Sequence, residues 1–179
     1  MFSLSLARLG AFPIDSASAM LDAVSLVAQR NFFATVERCD PQTFDARGPG
    51  TGRWLAAEVA FSEIDLAGSV SCELPEHLAD ALFDAFIGRG PFDPPPAPEA
   101  VHHLMGEFVN MVCGVWLAQV ANRRSFTLGR PVVRRVPFRG LRLCTEVPLR
   151  LLVNDQPLAV HVRAGAATAG SGAGLQLPA

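Results

Sequence analysis

An acidic and an amide side chain lie three positions apart in the apolar segment 98–122. Glu107 and Asn110 are separated by Phe108 and Val109 within the stretch GEFVNMVCGV. At about 100° per residue, positions three apart in an α-helix lie on the same face. A carboxylate can pair with a cation on another molecule, and a carboxamide can both donate and accept hydrogen bonds. The pair therefore predicts a polar helix face that acts on, or binds to, a second molecule.

Glycines and a histidine extend this polar face. Gly106 and Gly114 flank the acid and the amide, His103 lies one turn before Glu107, and Leu117 falls on the same stripe. Each glycine costs a helix about 1 kcal/mol relative to alanine, so bare backbone here must allow close approach, by a neighbouring helix of the same fold or by another molecule. The opposite side is predicted to face the core through Val101, Leu104, Met105, Phe108, Val112, Val115 and Trp116.

Two simpler interpretations compete with a functional helix face. Glu107 could be a solvated helix residue, and Asn110 a buried amide that bonds to a neighbouring strand. His103 and Glu107 also have the spacing of two metal ligands on one helix, with Cys113 as a third candidate. Because Cys113 falls well off the stripe, the spacing does not favour a metal site. We expect no cofactor or metal to be bound by this chain.

Length and charge set the class of protein. The chain has 179 residues and 50% hydrophobic content, which suits one domain with a substantial core. Its 15 basic and 17 acidic residues give a formal net charge of −2, which does not suit a nucleic-acid partner. Every basic residue is arginine. Schiff-base chemistry and lysine-dependent phosphate binding are therefore excluded.

The cysteines and the apolar runs predict the compartment. Cys39, Cys72, Cys113 and Cys144 show no CxxC spacing, and each lies in or beside an apolar segment, which is typical of buried reduced thiols. No uninterrupted apolar run reaches about 18 residues, and the first residues do not have the pattern of a signal peptide. We expect a soluble cytoplasmic protein with no membrane partner.

Apolar periodicity and turn residues predict alternating helices and strands. Helices are predicted at 17–37, at 76–88 and at about 98–122. Strands are predicted at 2–9, 53–63, 66–74, 125–136, 141–153 and 157–164, with tight turns at Ile64–Asp65 and at Asn154–Asp155. The segment 40–52, DPQTFDARGPGTG, is interpreted as a helix-breaking connector.

The order of these elements predicts an α+β fold. Strands in antiparallel order with helices segregated to one side give an antiparallel sheet with two long helices on one face. A long helix followed by strands occurs twice, which indicates a pseudo-duplicated helix-plus-strands unit. Asp22 and Ser25 are the nearest counterparts of the polar pair in the first long helix, and they do not match its chemistry. One domain over 1–164 is predicted, with a disordered tail over 165–179.

The motif and its surroundings resemble a known family. LAGSVSCELPEHLADALFDAFIG, a proline-containing connector and MGEFVNMVCGVWL are similar to the chemotaxis phosphatase family of CheX and CheC. The signature of that family is Glu-x-x-Asn in a GExxNxxxG context, which matches Gly106, Glu107, Asn110 and Gly114. The similarity is strongest over 66–133 and follows the element order from 15 to 164. The single motif resembles CheX rather than CheC.

The resemblance implies a protein phosphatase that hydrolyses the aspartyl phosphate of a CheY-like response-regulator receiver domain. Asn110 would orient the attacking water and Glu107 would pair with a lysine of the receiver, while Gly106, Gly114 and His103 would contact the partner. Mg²⁺ would be held by the receiver, and no cofactor by this chain. The family also implies a possible homodimer formed through sheet strands, for which 141–153 is long and apolar enough.

Two further possibilities stay open. The same fold could serve as a non-catalytic signalling or dimerisation module that binds a receiver or another two-component protein. A local excess of arginine, at Arg134, Arg135, Arg139 and Arg142, could meet the acidic rim of a receiver domain.

Overall fold

The computed structural model describes residues 16–48, 52–90, 92–121, 124–137 and 148–166. Over these ranges the elements follow one another as α1 (Ser16–Phe32), β1 (Val36–Arg38), α2 (Pro41–Arg47), β2 (Trp54–Ser62), β3 (Leu66–Pro75), α3 (Glu76–Ile87), α4 (Pro98–Val120), β4 (Thr127–Leu128), β5 (Val132–Val136), β6 (Leu149–Val153) and β7 (Gln156–Ala166). None of the helices in these ranges is long and apolar enough to span a bilayer.

The strands of the described ranges form one antiparallel sheet of seven strands. Its order is β1-β6-β7-β3-β2-β4, and β5 also pairs with β2. The path β1-β6-β7-β3-β2-β5 through the sheet has an internal symmetry. If β1 is exchanged with β5, β2 with β6 and β3 with β7, the same path is obtained in the opposite direction. The hairpin β2–β3 then corresponds to the hairpin β6–β7. Both the α+β fold and the pseudo-duplication predicted from the sequence are confirmed.

The two faces of the sheet are covered differently. One face packs against α1, α3 and α4, and β2 contributes Leu55, Ala57, Val59 and Phe61 to that core. Because side chains alternate along a strand, Trp54 lies on the other face. There it packs against Phe44 of α2, with ring centroids 6.2 Å apart. The predicted arrangement of two long helices on one face is confirmed, with α2 as an addition on the other.

Local turn signals placed the central hairpin and its flanking helix correctly. β2 and β3 pair from Trp54 with Pro75 to Ser62 with Ala67, around the predicted turn. α3 begins directly after Pro75 and ends at Gly88, which has a left-handed φ of 69°. Asn154 and Asp155 also have positive φ values, 47° and 65°, as a two-residue hairpin turn between β6 and β7 requires.

The first long helix is shorter than predicted. α1 ends at Phe32, and Phe33 adopts a left-handed conformation with φ 52°. The N–H of Ala34 donates to the carbonyl of Ala28, six residues earlier, at 3.1 Å, and this bond closes the end of the helix. A left-handed conformation costs a non-glycine residue about 1–2 kcal/mol. The helix predicted over 17–37 is therefore wrong beyond Phe32, and the chain continues into β1.

Two more elements differ from the prediction. The predicted connector contains α2, whose first turn is capped by the Asp40 carboxylate; it accepts from the N–H groups of Gln42 and Thr43, each at 2.9 Å. The strand predicted over 125–136 is divided into β4 and β5. The predicted strand 2–9, the part of a strand over 141–147 and the tail beyond 166 lie outside the described residues. The domain limits stay predictions.

Candidate functional site

The site helix α4 is fixed to the fold along its apolar side. Six of the seven residues predicted to face the core are buried, and Val115 is half-buried. Trp116 is fully buried, and its ring lies 5.9 Å from that of Phe61 in β2. Its indole N–H also donates to the carbonyl of Ser16 at 3.3 Å. This contact places the end of α4 beside the start of α1. Phe108, in the middle of α4, contacts Phe32 at the end of α1, so the two long helices run antiparallel.

The solvent side of α4 carries the predicted polar residues. His103 and Glu107 are exposed, and Asn110 and Gly114 are half-buried. We call these four residues the α4 ridge. A Cβ atom built on Gly114 would meet no atom of the described residues within 4 Å, so the ridge is open to them at this point. The geometry leaves room for another molecule to approach the helix backbone.

Gly106 faces the interior instead of the ridge. It is buried, and a Cβ atom built on it would lie 3.2 Å from Cβ of Pro131 and 3.7 Å from Cγ2 of Val133. Leu117, on the same side of the helix, is also buried. The absence of a side chain at Gly106 therefore allows α4 to pack against the start of β5. Partner contact, which the sequence interpretation assigned to Gly106, is not the role that this burial supports.

Asn110 has an unpaired amide oxygen. Its Oδ1 atom is shielded from solvent and accepts no hydrogen bond from any group in the described part of the chain. Among the described strands, the structure therefore does not contain the bonded, buried amide of the simpler interpretation. Leaving a shielded polar atom without a hydrogen bond costs about 1–3 kcal/mol, so Oδ1 would gain from a donor supplied by another molecule.

Glu107 and His103 are also free of internal partners. Within the described residues, neither side chain takes part in a hydrogen bond or an ion pair. An exposed carboxylate with no internal cation remains available to a cation on another molecule. Together with Asn110, Glu107 gives the ridge one charge and one amide, one turn apart.

The structure separates Cys113 from the candidate metal ligands. Cys113 is fully buried in the core, and burial raises the pKa of its thiol to about 12. It cannot join His103 and Glu107, which point to solvent. Across the described residues, no group of three or more His, Cys, Asp or Glu side chains is placed to hold a metal ion. Cys39 and Cys72 are likewise free thiols, and Cys144 lies outside the described residues.

The two described arginines of the arginine-rich segment do not lie at the ridge. Arg135 pairs with Glu76 at the start of α3. Arg134 is exposed and alternates along β5 with Val133, the residue that packs beneath Gly106, so it faces away from α4. Arg139 and Arg142 lie outside the described residues.

Sequence reasoning missed Pro131 as the neighbour of Gly106. The two residues are far apart in the chain, and neither carries a local signal of the contact. Sequence reasoning also missed several exposed apolar residues near the ends of α1 and α3, of which Phe33 is 81% exposed. A phenylalanine directly after a helix is not a sequence signal for a helix end, so the exposure of Phe33 could not be predicted.

Known structures share this arrangement of sheet and helices. The chemotaxis protein CheX from Vibrio vulnificus superimposes with a TM-score of 0.63 at 19% identity, over 84% of this chain and 97% of that chain. CheX from Desulfovibrio desulfuricans gives a TM-score of 0.62 at 16% identity, over 84% of this chain and 99% of that one. The protein has the CheX fold. Protein-family models and curated protein sequences give no match to this chain.

A further structure with the CheX fold contains a partner. It is the CheX-CheY-BeF3-Mg²⁺ complex from Borrelia burgdorferi, with a TM-score of 0.53 at 15% identity, over 85% of this chain and 99% of that chain. The similarity between that CheX and this chain concerns the fold only.

The CheX fold of this chain carries its polar pair on only one of the two long helices described. The pseudo-duplication relates α1 to α4, and on α1 the nearest candidates are Asp22, which is exposed, and Ser25, which is half-buried. An aspartate and a serine do not reproduce an acid with a carboxamide, because the hydroxyl of Ser25 is shorter than an amide and lacks its NH₂ donors. Any Glu-x-x-Asn chemistry in the described residues therefore belongs to α4.

Proposed function

We propose that this protein accelerates hydrolysis of the aspartyl phosphate on a receiver domain of the CheY kind. The observation that carries the proposal is the pairing of an exposed carboxylate, Glu107, with an unpaired carboxamide, Asn110, one turn apart on the α4 ridge. The CheX fold supports it, because a protein with that fold has been solved together with CheY, BeF3 and Mg²⁺.

The chemistry needs little from the second protein. In the proposed step, the oxygen of a water attacks phosphorus, the bond from phosphorus to the aspartyl oxygen breaks, and the aspartate carboxylate is regenerated. The water's proton ends on the inorganic phosphate that leaves. An acyl phosphate is already reactive, and Mg²⁺ on the receiver neutralises the phosphoryl charge, so positioning the water is the contribution that remains.

Asn110 is the residue proposed to position the water. A carboxamide is not a general base, but its oxygen can accept a hydrogen bond from the water while its NH₂ group donates to a nearby oxygen. Oδ1 accepts from no donor in the part of the chain that the structure describes, so binding a water costs it no hydrogen bond there. Rotation about the Cβ–Cγ bond would bring it from its shielded position towards a bound receiver.

Glu107 is the residue proposed to hold the partner. Its carboxylate would pair with a lysine at the receiver's phosphorylation site, and no cation among the described residues pairs with it. Gly114 would let the receiver's backbone approach α4, since a side chain is absent and the space above it is open. His103 would lie at the rim of this contact. We do not include Gly106, which packs against β5.

The test is release of inorganic phosphate from a phosphorylated receiver, with and without this protein. We expect faster release with the wild type, and a weaker complex with slower release for Glu107→Ala and Glu107→Gln. Asp22→Asn is the matched control, because it removes an exposed acid from the pseudo-equivalent helix α1. A complex that forms without faster release would favour the non-catalytic signalling module and refute the phosphatase.

A further inference from the structure

Exposed apolar side chains are concentrated near the ends of α1 and α3. Six large hydrophobic side chains are exposed among the described residues, and two of them, Ile64 and Val132, lie elsewhere, in the β2–β3 turn and at the start of β5. The other four, which we call the aromatic patch, are Phe33 (81% exposed), Phe86 (49%), Ile87 (52%) and Phe92 (99%). Clustered apolar exposure of this kind marks interaction surfaces on soluble proteins.

Phe33 is exposed in a conformation that does not suit it. Its left-handed φ of 52° lies directly after the last residue of α1, where a left-handed residue is usually glycine. Burial cannot account for the aromatic ring, because the residue is 81% exposed. Neither backbone preference nor core packing therefore explains a phenylalanine at this position.

Phe92 lies between α3 and α4, beside residues that several hydrogen bonds hold in place. The Arg89 guanidinium is bonded to the Asp84 carboxylate, and it donates to the carbonyl of Asp93 at 3.0 Å and to that of Pro94 at 2.7 Å. The N–H of Gly90 donates to the Asp93 carboxylate at 2.7 Å. An exposed aromatic side chain on a backbone that is already ordered binds a partner at low entropic cost.

The aromatic patch is close to the α4 ridge. The ring of Phe86 lies 5.6 Å from that of Phe32, and the ring of Phe32 lies 5.5 Å from that of Phe108, which is adjacent to Glu107 in α4. A standard interface covers about 800 Å² on each partner, which corresponds to a disc of about 16 Å radius. A receiver seated on Glu107 and Asn110 would therefore reach the Phe86 end of the patch.

We propose that the aromatic patch is the apolar part of the interface with the same receiver domain, and that Phe33 and Phe92 determine how tightly it binds. This inference rests on the proposed function of the ridge. The ridge offers one charge and one amide, whereas the centres of protein interfaces are enriched in aromatic residues. The partner surface that fits is one with apolar side chains beside its phosphorylation pocket.

The test compares Phe33→Gly and Phe92→Ala with Ile64→Ala, which removes an equally exposed apolar side chain from the β2–β3 turn. The measurements are the Kd for a receiver carrying BeF3 and Mg²⁺, and KM and kcat for phosphate release. We expect each phenylalanine variant to raise Kd and KM about tenfold, as loss of an interface anchor does, with kcat unchanged. Ile64→Ala should leave all three unchanged.

Folding is controlled in the same experiment. Glycine suits the left-handed position of residue 33, so Phe33→Gly should melt no lower than the wild type. Unchanged Kd in both phenylalanine variants would overturn the inference. So would a change from dimer to monomer in these variants without loss of receiver binding, since the patch would then cover a second copy of the chain.

The outcomes also separate this inference from the proposed catalysis. If the wild type binds the receiver without accelerating hydrolysis, and the phenylalanine variants bind more weakly, the patch assignment stands and the phosphatase fails. If the wild type accelerates hydrolysis and the variants match it in KM, only the patch assignment fails. If the wild type does not bind any receiver, both fail.

Discussion

Gly106 of α4 and Pro131 before β5 are packed so closely that a Cβ atom on the glycine would lie 3.2 Å from Cβ of the proline. Gly114, two turns further along the same helix, has no atom within 4 Å of the equivalent position. The two glycines of one motif therefore have different physical purposes. Gly106 brings the helix against the sheet, and Gly114 leaves the ridge open.

Gly114→Ala should make the protein more stable and the complex weaker. The added methyl group meets no atom, so the gain in helix propensity of about 1 kcal/mol should appear in full, raising Tm by about 2–4 °C. The same methyl group stands where a receiver backbone is proposed to approach, and Kd for the receiver should rise. Thermal unfolding and a binding titration check both parts. A more stable variant with wild-type affinity would remove Gly114 from the interface.

Gly106→Ala should gain less stability than Gly114→Ala or lose some. The same helix-propensity gain is opposed here by the contact with Pro131, whose ring must shift by a few tenths of an ångström. Comparing the free energies of unfolding of the two alanine variants in urea isolates the contact, because the substitution is identical. Equal stabilisation at the two positions would show that Pro131 can move away from the added methyl group at no cost in free energy.

The cap of α2 should make stability depend on pH in the acid range. The backbone N–H and the hydroxyl of Thr43 hold the pKa of the Asp40 carboxyl below its usual value. A carboxyl whose pKa is lower in the folded state contributes its full stability above the unfolded pKa of about 3.9, and this contribution is lost as pH falls through the folded pKa. Asp40→Ala should therefore lower Tm at neutral pH, and the difference should shrink below about pH 4.

Asp40→Asn is the control for this prediction. An asparagine side chain can still accept from the N–H groups of the first turn, but it does not titrate. The variant should keep most of the stability at neutral pH and lack the acid-dependent part. A Tm difference between the wild type and Asp40→Ala that stays constant from pH 7 to pH 3 would contradict the assignment of the cap.

The buried thiols should report on the packing of α4 against the sheet. Burial raises the pKa of all three described thiols, but Cys72 in β3 and Cys113 in α4 are fully buried, whereas Cys39 is only half-buried. In the folded protein at pH 8, alkylation followed by peptide mass spectrometry should label Cys39 well before the other two, because the thiolate is the reactive form. Rapid labelling of Cys113 would mean that α4 separates from β3 on the timescale of labelling.

Local signals in the sequence determined which elements could be predicted. The hairpin β2–β3, the end of α3 at Gly88 and the turn at Asn154–Asp155 each carry residues that suit one backbone geometry. α2 was missed although Asp40 followed by Pro41 is a helix-start signal, because the glycines that follow suggested a connector. The end of α1 had no such signal, since Phe33 is not a residue that usually adopts a left-handed conformation.

The candidate site was likewise predictable where local geometry determines it, and not where distant parts of the chain meet. The spacing of Glu107 and Asn110 on one helix follows from helical geometry, and the structure places them on the solvent side. Helical periodicity could not show that Gly106 and Leu117, although on the same calculated stripe, are covered from one side by other parts of the fold. The burial of these two residues results from tertiary contacts between distant parts of the chain, which local sequence does not reveal. The aromatic patch likewise depends on how α1 and α3 end in space.

The rate of phosphate release from a phosphorylated receiver in the presence of Asn110→Ala tests the central claim most directly. If Asn110 orients the attacking water, the variant should bind a receiver carrying BeF3 and Mg²⁺ as tightly as the wild type. Its acceleration of release should nevertheless fall at least about 100-fold, because the loss is one of positioning. Release as fast as that given by the wild type, at equal binding, would contradict the account.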